Sequence, residues 1–145
     1  MKILVKKLLQ NASIPEYKTS GSSGFDISAC IDANILLNPQ SIALVKTGLS
    51  LELPEGYEAQ VRSRSGLALK NSIFVLNSPG TIDNDYRGEL CVILANFGSE
   101  PFTIEHGMRI AQVVIAKYEQ FEIVTVEALT ETVRGSGGFG STGVK

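Results

Sequence analysis

Short β-type runs recur about every 8–12 residues along this chain, separated by turn-forming residues. They cover residues 3–9, 25–31, 35–37, 41–46, 49–53, 57–62, 73–76, 90–97, 102–104, 108–117 and 121–126. Between them stand Pro15 with a Thr-Ser-Gly-Ser-Ser-Gly cluster, Pro54-Glu-Gly56, Gly98 to Pro101 and Glu105-His-Gly107. This spacing predicts an all-β sandwich or barrel. One stretch departs from it: Ser65-Gly-Leu-Ala-Leu-Lys-Asn71 has helix formers behind a serine able to cap, and predicts one short helix. A chain of 145 residues suits one domain, here 1–133, followed by a glycine-rich arm, 134–145.

Charge and cysteine usage narrow the function. A net charge of −2 excludes a general nucleic-acid binder, though not a local Arg/Lys cluster on one anion. Few charges and a slightly positive mean hydropathy point to apolar surface covered by another subunit. Cys30 and Cys91 lie in apolar strands, and with one histidine and no CxxC there is no Cys/His cluster. They read as free thiols in a reducing compartment. Lys6 and Lys7 interrupt the apolar start, no cleavage site follows, and no run approaches the ~18 residues of a membrane span. The expectation is a cytoplasmic protein with no membrane partner.

The chemistry centres on Asn77-Ser-Pro-Gly-Thr-Ile-Asp-Asn-Asp-Tyr-Arg-Gly-Glu89, between two apolar runs. Pro79-Gly80 makes a bend, Thr81-Ile82 is β-prone and Asn84-Asp85 is turn chemistry. The expected hairpin holds Asp83 at a strand end with Tyr86 three residues on, which could line a small-molecule pocket or be an ordinary solvated turn.

Three other segments carry anion-binding groups. Arg62-Ser-Arg-Ser-Gly66 puts two guanidiniums and two hydroxyls at a strand-to-helix junction, where unpaired N–H groups and the helix dipole favour phosphate. Gly107-Met-Arg-Ile-Ala-Gln112 adds Arg109 and Gln112. The arm, Arg134-Gly-Ser-Gly-Gly-Phe-Gly-Ser-Thr-Gly143, lets main chain approach a polyphosphate, without the GKS/GKT of a Walker A loop. Taken singly, a strand arginine is a surface charge and a Gly/Ser arm a disordered end. Phe139 has no structural task in a glycine run and suits a flat ligand. Together they imply a nucleoside polyphosphate with Mg²⁺, for which Asp26 could hold a water and Asp83 could deprotonate an attacking one.

Five segments resemble, in order, the five motifs of the trimeric dUTP diphosphatase (dUTPase) family: Ser23-Gly-Phe-Asp-Ile-Ser-Ala29, Arg64-Ser-Gly-Leu-Ala68, Gly80-Thr-Ile-Asp-Asn-Asp-Tyr-Arg-Gly88, Gly107-Met-Arg-Ile-Ala-Gln112 and the arm. Ser63 stands where many members have Pro, and Met108 where many have an acidic residue. The resemblance implies a jelly-roll-like, β-clip fold in a homotrimer, with three sites at subunit interfaces. The hairpin of one chain would hold uracil and deoxyribose. A second chain would hold phosphates and magnesium, and the arm of a third would close the site. The implied reaction is dUTP to dUMP and diphosphate, which keeps uracil out of DNA and supplies dUMP for dTTP synthesis.

Matched motif by motif, the resemblance makes Asp83 the water-activating residue and a partner of the 3′-OH. Tyr86 packs on the sugar and excludes a 2′-OH. Asn77, with backbone around Thr81, Ile82 and Cys91, reads uracil. Arg64, Ser65, Gly66 and Gln112 hold phosphates, and Asp26 binds Mg²⁺ through water. Arg134 grips the terminal phosphate and Phe139 stacks on uracil, with Gly140 and Ser141 beside them. Arg109 reads as structural. Two alternatives share the scaffold: a dCTP deaminase or bifunctional deaminase–dUTPase, and a non-catalytic nucleotide-binding trimer.

Overall fold

A computed structural model describes residues 1–138. Its elements are β1 (Leu4–Lys7), β2 (Gly24–Ser28), β3 (Ile35–Leu37), β4 (Ile42–Lys46), β5 (Leu49–Glu52), β6 (Tyr57–Arg62), α1 (Ser65–Asn71), β7 (Ile73–Val75), β8 (Gly80–Ile82), β9 (Cys91–Asn96), β10 (Phe102–Ile104) and β11 (Arg109–Lys117). The all-β expectation with one short helix holds. The strands form sheets ordered β2-β11-β6-β8, β4-β9-β7, β1-β5 and β10-β3. Every pairing is antiparallel.

The inward residues of these strands make one core. Ile27, Leu37, Val45, Leu49, Val61, Ile73, Leu94 and Val113 are buried within it. Each such side chain removed from water contributes about 1.5–3 kcal/mol. Asn96, also buried, donates to the carbonyls of Leu37 and Glu100 and so ties β9 to the β3 and β10 ends.

Several local expectations need correction. The segment between β7 and β9 is not a simple hairpin. Strands β7 and β9 do pair, but the intervening chain leaves their sheet and adds β8 to the edge of the four-stranded one. The bend falls at residues 76–79, and Gly80 already belongs to β8. Gly80 does not have positive φ, and a Cβ there would lie 3.0 Å from the Asn77 side-chain amide nitrogen, which would have to give by a few tenths of an ångström. Ser65 is the first helical residue and not the cap. Arg64 is the cap residue, with extended backbone and no side-chain cap bond, and its carbonyl accepts from Ala68 N.

The expected last strand, 121–126, is absent from the described residues. Its apolar residues have no strand partner among the described residues, and they project outward: Phe121 is 79% exposed, Ile123 96% and Val124 64%. That much apolar surface on one extended segment is surface waiting for a partner.

Candidate functional site

The base of the site is the free edge of β8. Among the described residues this strand pairs only with β6, so along its other edge main-chain donors and acceptors are open to them. Beyond Ile82 the chain turns, and Tyr86 N donates to Asp83 O at 3.2 Å. Thr81, Ile82, Asp83, Tyr86, Glu89 and Cys91 line a cavity of about 210 Å³. That is below the ~300–1,000 Å³ usual for a complete small-molecule pocket. Asn77 lies over the start of β8, against Gly80. Burial pushes the Cys91 thiol up, the Glu89 carboxylate adds to the rise, and Lys46 opposes it.

The Tyr86 ring folds back across Gly88. A Cβ on Gly88 would lie 2.2 Å from the phenol oxygen, so only glycine permits this pose. The hydroxyl donates to Glu89 O at 3.2 Å.

A second cluster forms at the other end of β6. Register places Gln112 of β11 directly between Asp26 of β2 and Arg62 of β6, so the three side chains share one face. Arg64, two residues on, donates from Nε to Asp26 Oδ1 at 3.0 Å and from Nη2 to Oδ2 at 3.4 Å. Its Nη1 donates to Arg109 O. Arg109 itself donates from Nη1 to Asp26 Oδ2 at 3.0 Å, which fits its reading as structural. With no side-chain cap and no acidic residue in the first turn of α1, the Ser65 and Gly66 N–H groups lie open beside Arg64.

Asp26 fits a metal only indirectly. Among the described residues no group of three or more His, Cys, Asp and Glu could form a cage. Three N–H bonds occupy three of the roughly four acceptor positions of a carboxylate, leaving room for one water. A magnesium ion that keeps most of its waters needs no more than that from the protein.

The two clusters do not meet within one chain. Ile82 pairs with Ala59, whereas Gln112 and Asp26 align with Arg62. Three residues of strand amount to about 10 Å, and the three strand spacings from β8 to β2 to about 14 Å. Arg134 is exposed, and its Nε donates to Gly137 O within the arm. Phe139, Gly140 and Ser141 lie outside the described residues. Sequence reasoning missed Glu89 and the seat on Gly88, because the first works through Gly48 far away in the chain and the second through a ring pose.

The family model for dUTPase matches residues 10–143. A deoxyuridine 5′-triphosphate nucleotidohydrolase from Hydrogenobaculum sp. (strain Y04AAS1) is 55% identical over 145 residues, covering the whole of both chains. A mutant dUTPase of Staphylococcus bacteriophage 80alpha, solved with dUpNHpp, superposes with a TM-score of 0.88 at 30% identity, covering 99% of each chain. A mutant dUTPase from phage phi11 of S. aureus, solved with a structural Mg(II) ion, gives 0.81 at 25% identity, covering 90% of this chain and all of that one.

Proposed function

The chain belongs to the dUTPase family and hydrolyses dUTP to dUMP and diphosphate, and we propose that it does so as a homotrimer in which Asp83 of one copy activates water for attack on a triphosphate held by another. The observation that carries this reading is the separation of the Asp83–Tyr86 cavity from the Arg64–Asp26–Gln112 cluster on one sheet. A second copy brings the two together. The exposed apolar residues of 118–133 support the same assembly, since packing on a neighbour removes them from water.

In this site the free edge of β8, with Asn77 and the backbone at Cys91, reads the uracil edge through alternating donors and acceptors. Tyr86 packs on deoxyribose. Asp83 bonds the 3′-OH and takes a proton from water as its oxygen bonds to the α-phosphorus. The bond from that phosphorus to the bridging oxygen breaks, and diphosphate leaves. Arg64, Gln112 and the N–H groups of Ser65 and Gly66 hold the phosphates. Magnesium, when bound with the triphosphate, neutralises phosphate charge, and Asp26 would hold it through water. The arm from Arg134, with Phe139 on the base and Gly140 and Ser141 beside the phosphates, closes the site from a third copy. The domain therefore ends near 133. The cell compartment of this reading is the cytoplasm.

A diphosphate-release assay against dUTP, dTTP, dCTP and UTP, with and without Mg²⁺, tests the reading. Release from dUTP alone, increased by Mg²⁺, supports it. Ammonia release from dCTP would identify a deaminase, and no turnover by a folded trimer would identify a binding protein.

A further inference from the structure

The stretch that carries Tyr86 is bolted to the turn between β4 and β5. Gly48 N donates to the Glu89 carboxylate at 2.9 Å. Thr47 Oγ1 donates to Leu90 O, Leu90 N to Leu49 O, and Ser50 Oγ to Arg87 O. Thr47 and Ser50 are two of only three buried polar side chains among the described residues, and both are spent on this stretch. The turn offers a firm base. Gly48 has φ of 67°, and a Cβ there would meet Ala12 and the Cys30 sulfur at 2.9 and 3.0 Å. The turn is therefore packed against the core on its far side.

On its open side the same stretch sets the aromatic ring. Tyr86 lies on Gly88 and bonds Glu89 O, so the ring goes where the backbone of residues 88 and 89 goes. That backbone is placed in turn by the Glu89 side chain. Glu89 also lines the cavity that holds Asp83 and Tyr86, and a negative charge near it repels an incoming triphosphate. Such a group is an odd choice for a nucleotide pocket unless its oxygen has another task. The bond that this oxygen accepts from Gly48 N is that task.

We propose that Glu89 is a positioning residue for sugar discrimination: it clamps residues 86–90 to the Gly48 turn, and so holds the Tyr86 ring where it leaves no room for a 2′-hydroxyl. The inference rests on the reading above that Tyr86 packs on deoxyribose. It predicts that the choice between dUTP and UTP depends on a side chain that acts only through another.

The test is kcat/KM for dUTP and for UTP in the wild type, Glu89→Ala, Glu89→Gln, Ser50→Ala and Tyr86→Ala, with thermal melting and light scattering on each. Glu89→Ala should lower the dUTP/UTP ratio about ten-fold or more, since small misplacements at a site cost up to about 10²-fold. Glu89→Gln should restore most of the ratio, because the amide oxygen accepts the same N–H. Ser50→Ala loosens the clamp at Arg87 and should lower the ratio less, in the same direction. It carries the test if Glu89→Ala does not fold. A folded Glu89→Ala, or Ser50→Ala in its place, with the wild-type ratio overturns the proposal, even if melting falls, because the contact is then structural only. Glu89→Gln as poor as Glu89→Ala overturns it too, since charge and not the bond to Gly48 would matter. A wild-type ratio in Tyr86→Ala overturns both this and the assignment of Tyr86. Absence of diphosphate release by the wild type overturns the reading beneath it.

Discussion

Arg64 and Asp26 meet across the strand-to-helix junction, Nε to Oδ1 at 3.0 Å, with side chains only 25% and 15% exposed. Arg109 closes on the same carboxylate from the start of β11, Nη1 to Oδ2 at 3.0 Å. The pair is part-buried and forked, so it orients the Arg64 guanidinium before any phosphate arrives. One carboxylate thus organises the end of the sheet proposed to hold the phosphates.

Asp26→Asn tests this arrangement. The amide still accepts one bond, but it loses the charge and presents N–H to a guanidinium. We expect kcat/KM for dUTP to fall about ten-fold to a hundred-fold, the usual cost of disturbing a group that orients a ligand-binding one. The Mg²⁺ concentration needed for half-maximal rate should rise. Affinity for dUMP should change little, because the proposed base and sugar contacts lie on β8. Titrating Mg²⁺ and measuring dUMP binding on the purified variant checks all three.

Cys91 gives a chemical probe of the base pocket. Its thiol is pushed above the ordinary cysteine range by burial and by Glu89, so the reactive thiolate is scarcer than usual at neutral pH. Alkylation by iodoacetamide should be slow at pH 7 and accelerate only above the ordinary thiol range. Saturating dUMP should slow it further at every pH. Mass spectrometry of the peptide carrying Cys91 reads the rate, and labelling unaffected by dUMP would remove Cys91 from the pocket.

The exposed segment after β11 should be buried in the trimer. Ile123→Asp puts a charge where Ile123 is 96% exposed in the single chain. Losing that apolar burial costs about 1.5–3 kcal/mol, or roughly ten-fold to a hundred-fold in assembly. Light scattering should show dissociation at concentrations where the wild type remains trimeric, with activity lost in parallel.

A chain ending at Val133 should still assemble and bind dUMP. It should hydrolyse dUTP very poorly, because the arm proposed to align the phosphates is gone. Ordering the glycine-rich arm costs about 1–2 kcal/mol per residue. Stacking of Phe139 on the base offsets it by about 1–3 kcal/mol, so Phe139→Ala should lower kcat/KM by about ten-fold to a hundred-fold. Comparing kcat/KM for dUTP with dUMP affinity in both variants separates closure from base recognition.

What was legible in the sequence was local. The bounds of α1, β3, β6 and β10 follow from runs and turns a few residues long. The five motifs carried the family. What was not legible depends on partners far away in the chain. Thr81-Ile82 reads as a strand, but nothing in those residues says that it joins β6 and leaves the sheet of β7 and β9. Residues 121–126 alternate like a strand, yet a strand exists only with a partner, and the described residues supply none. Arg109 was read as structural without its partner, Asp26, which lies 83 residues away.

Asp83, at the end of β8, is proposed to take the proton from the attacking water. Asp83→Asn preserves size and the turn to Tyr86 but cannot act as a base. Single-turnover and steady-state rates on Mg–dUTP, measured beside dUMP affinity in the trimeric variant, test it most directly. With Asp83 as the base, kcat falls by about 10²–10⁴-fold and dUMP binding is retained. A kcat near that of the wild type would contradict it.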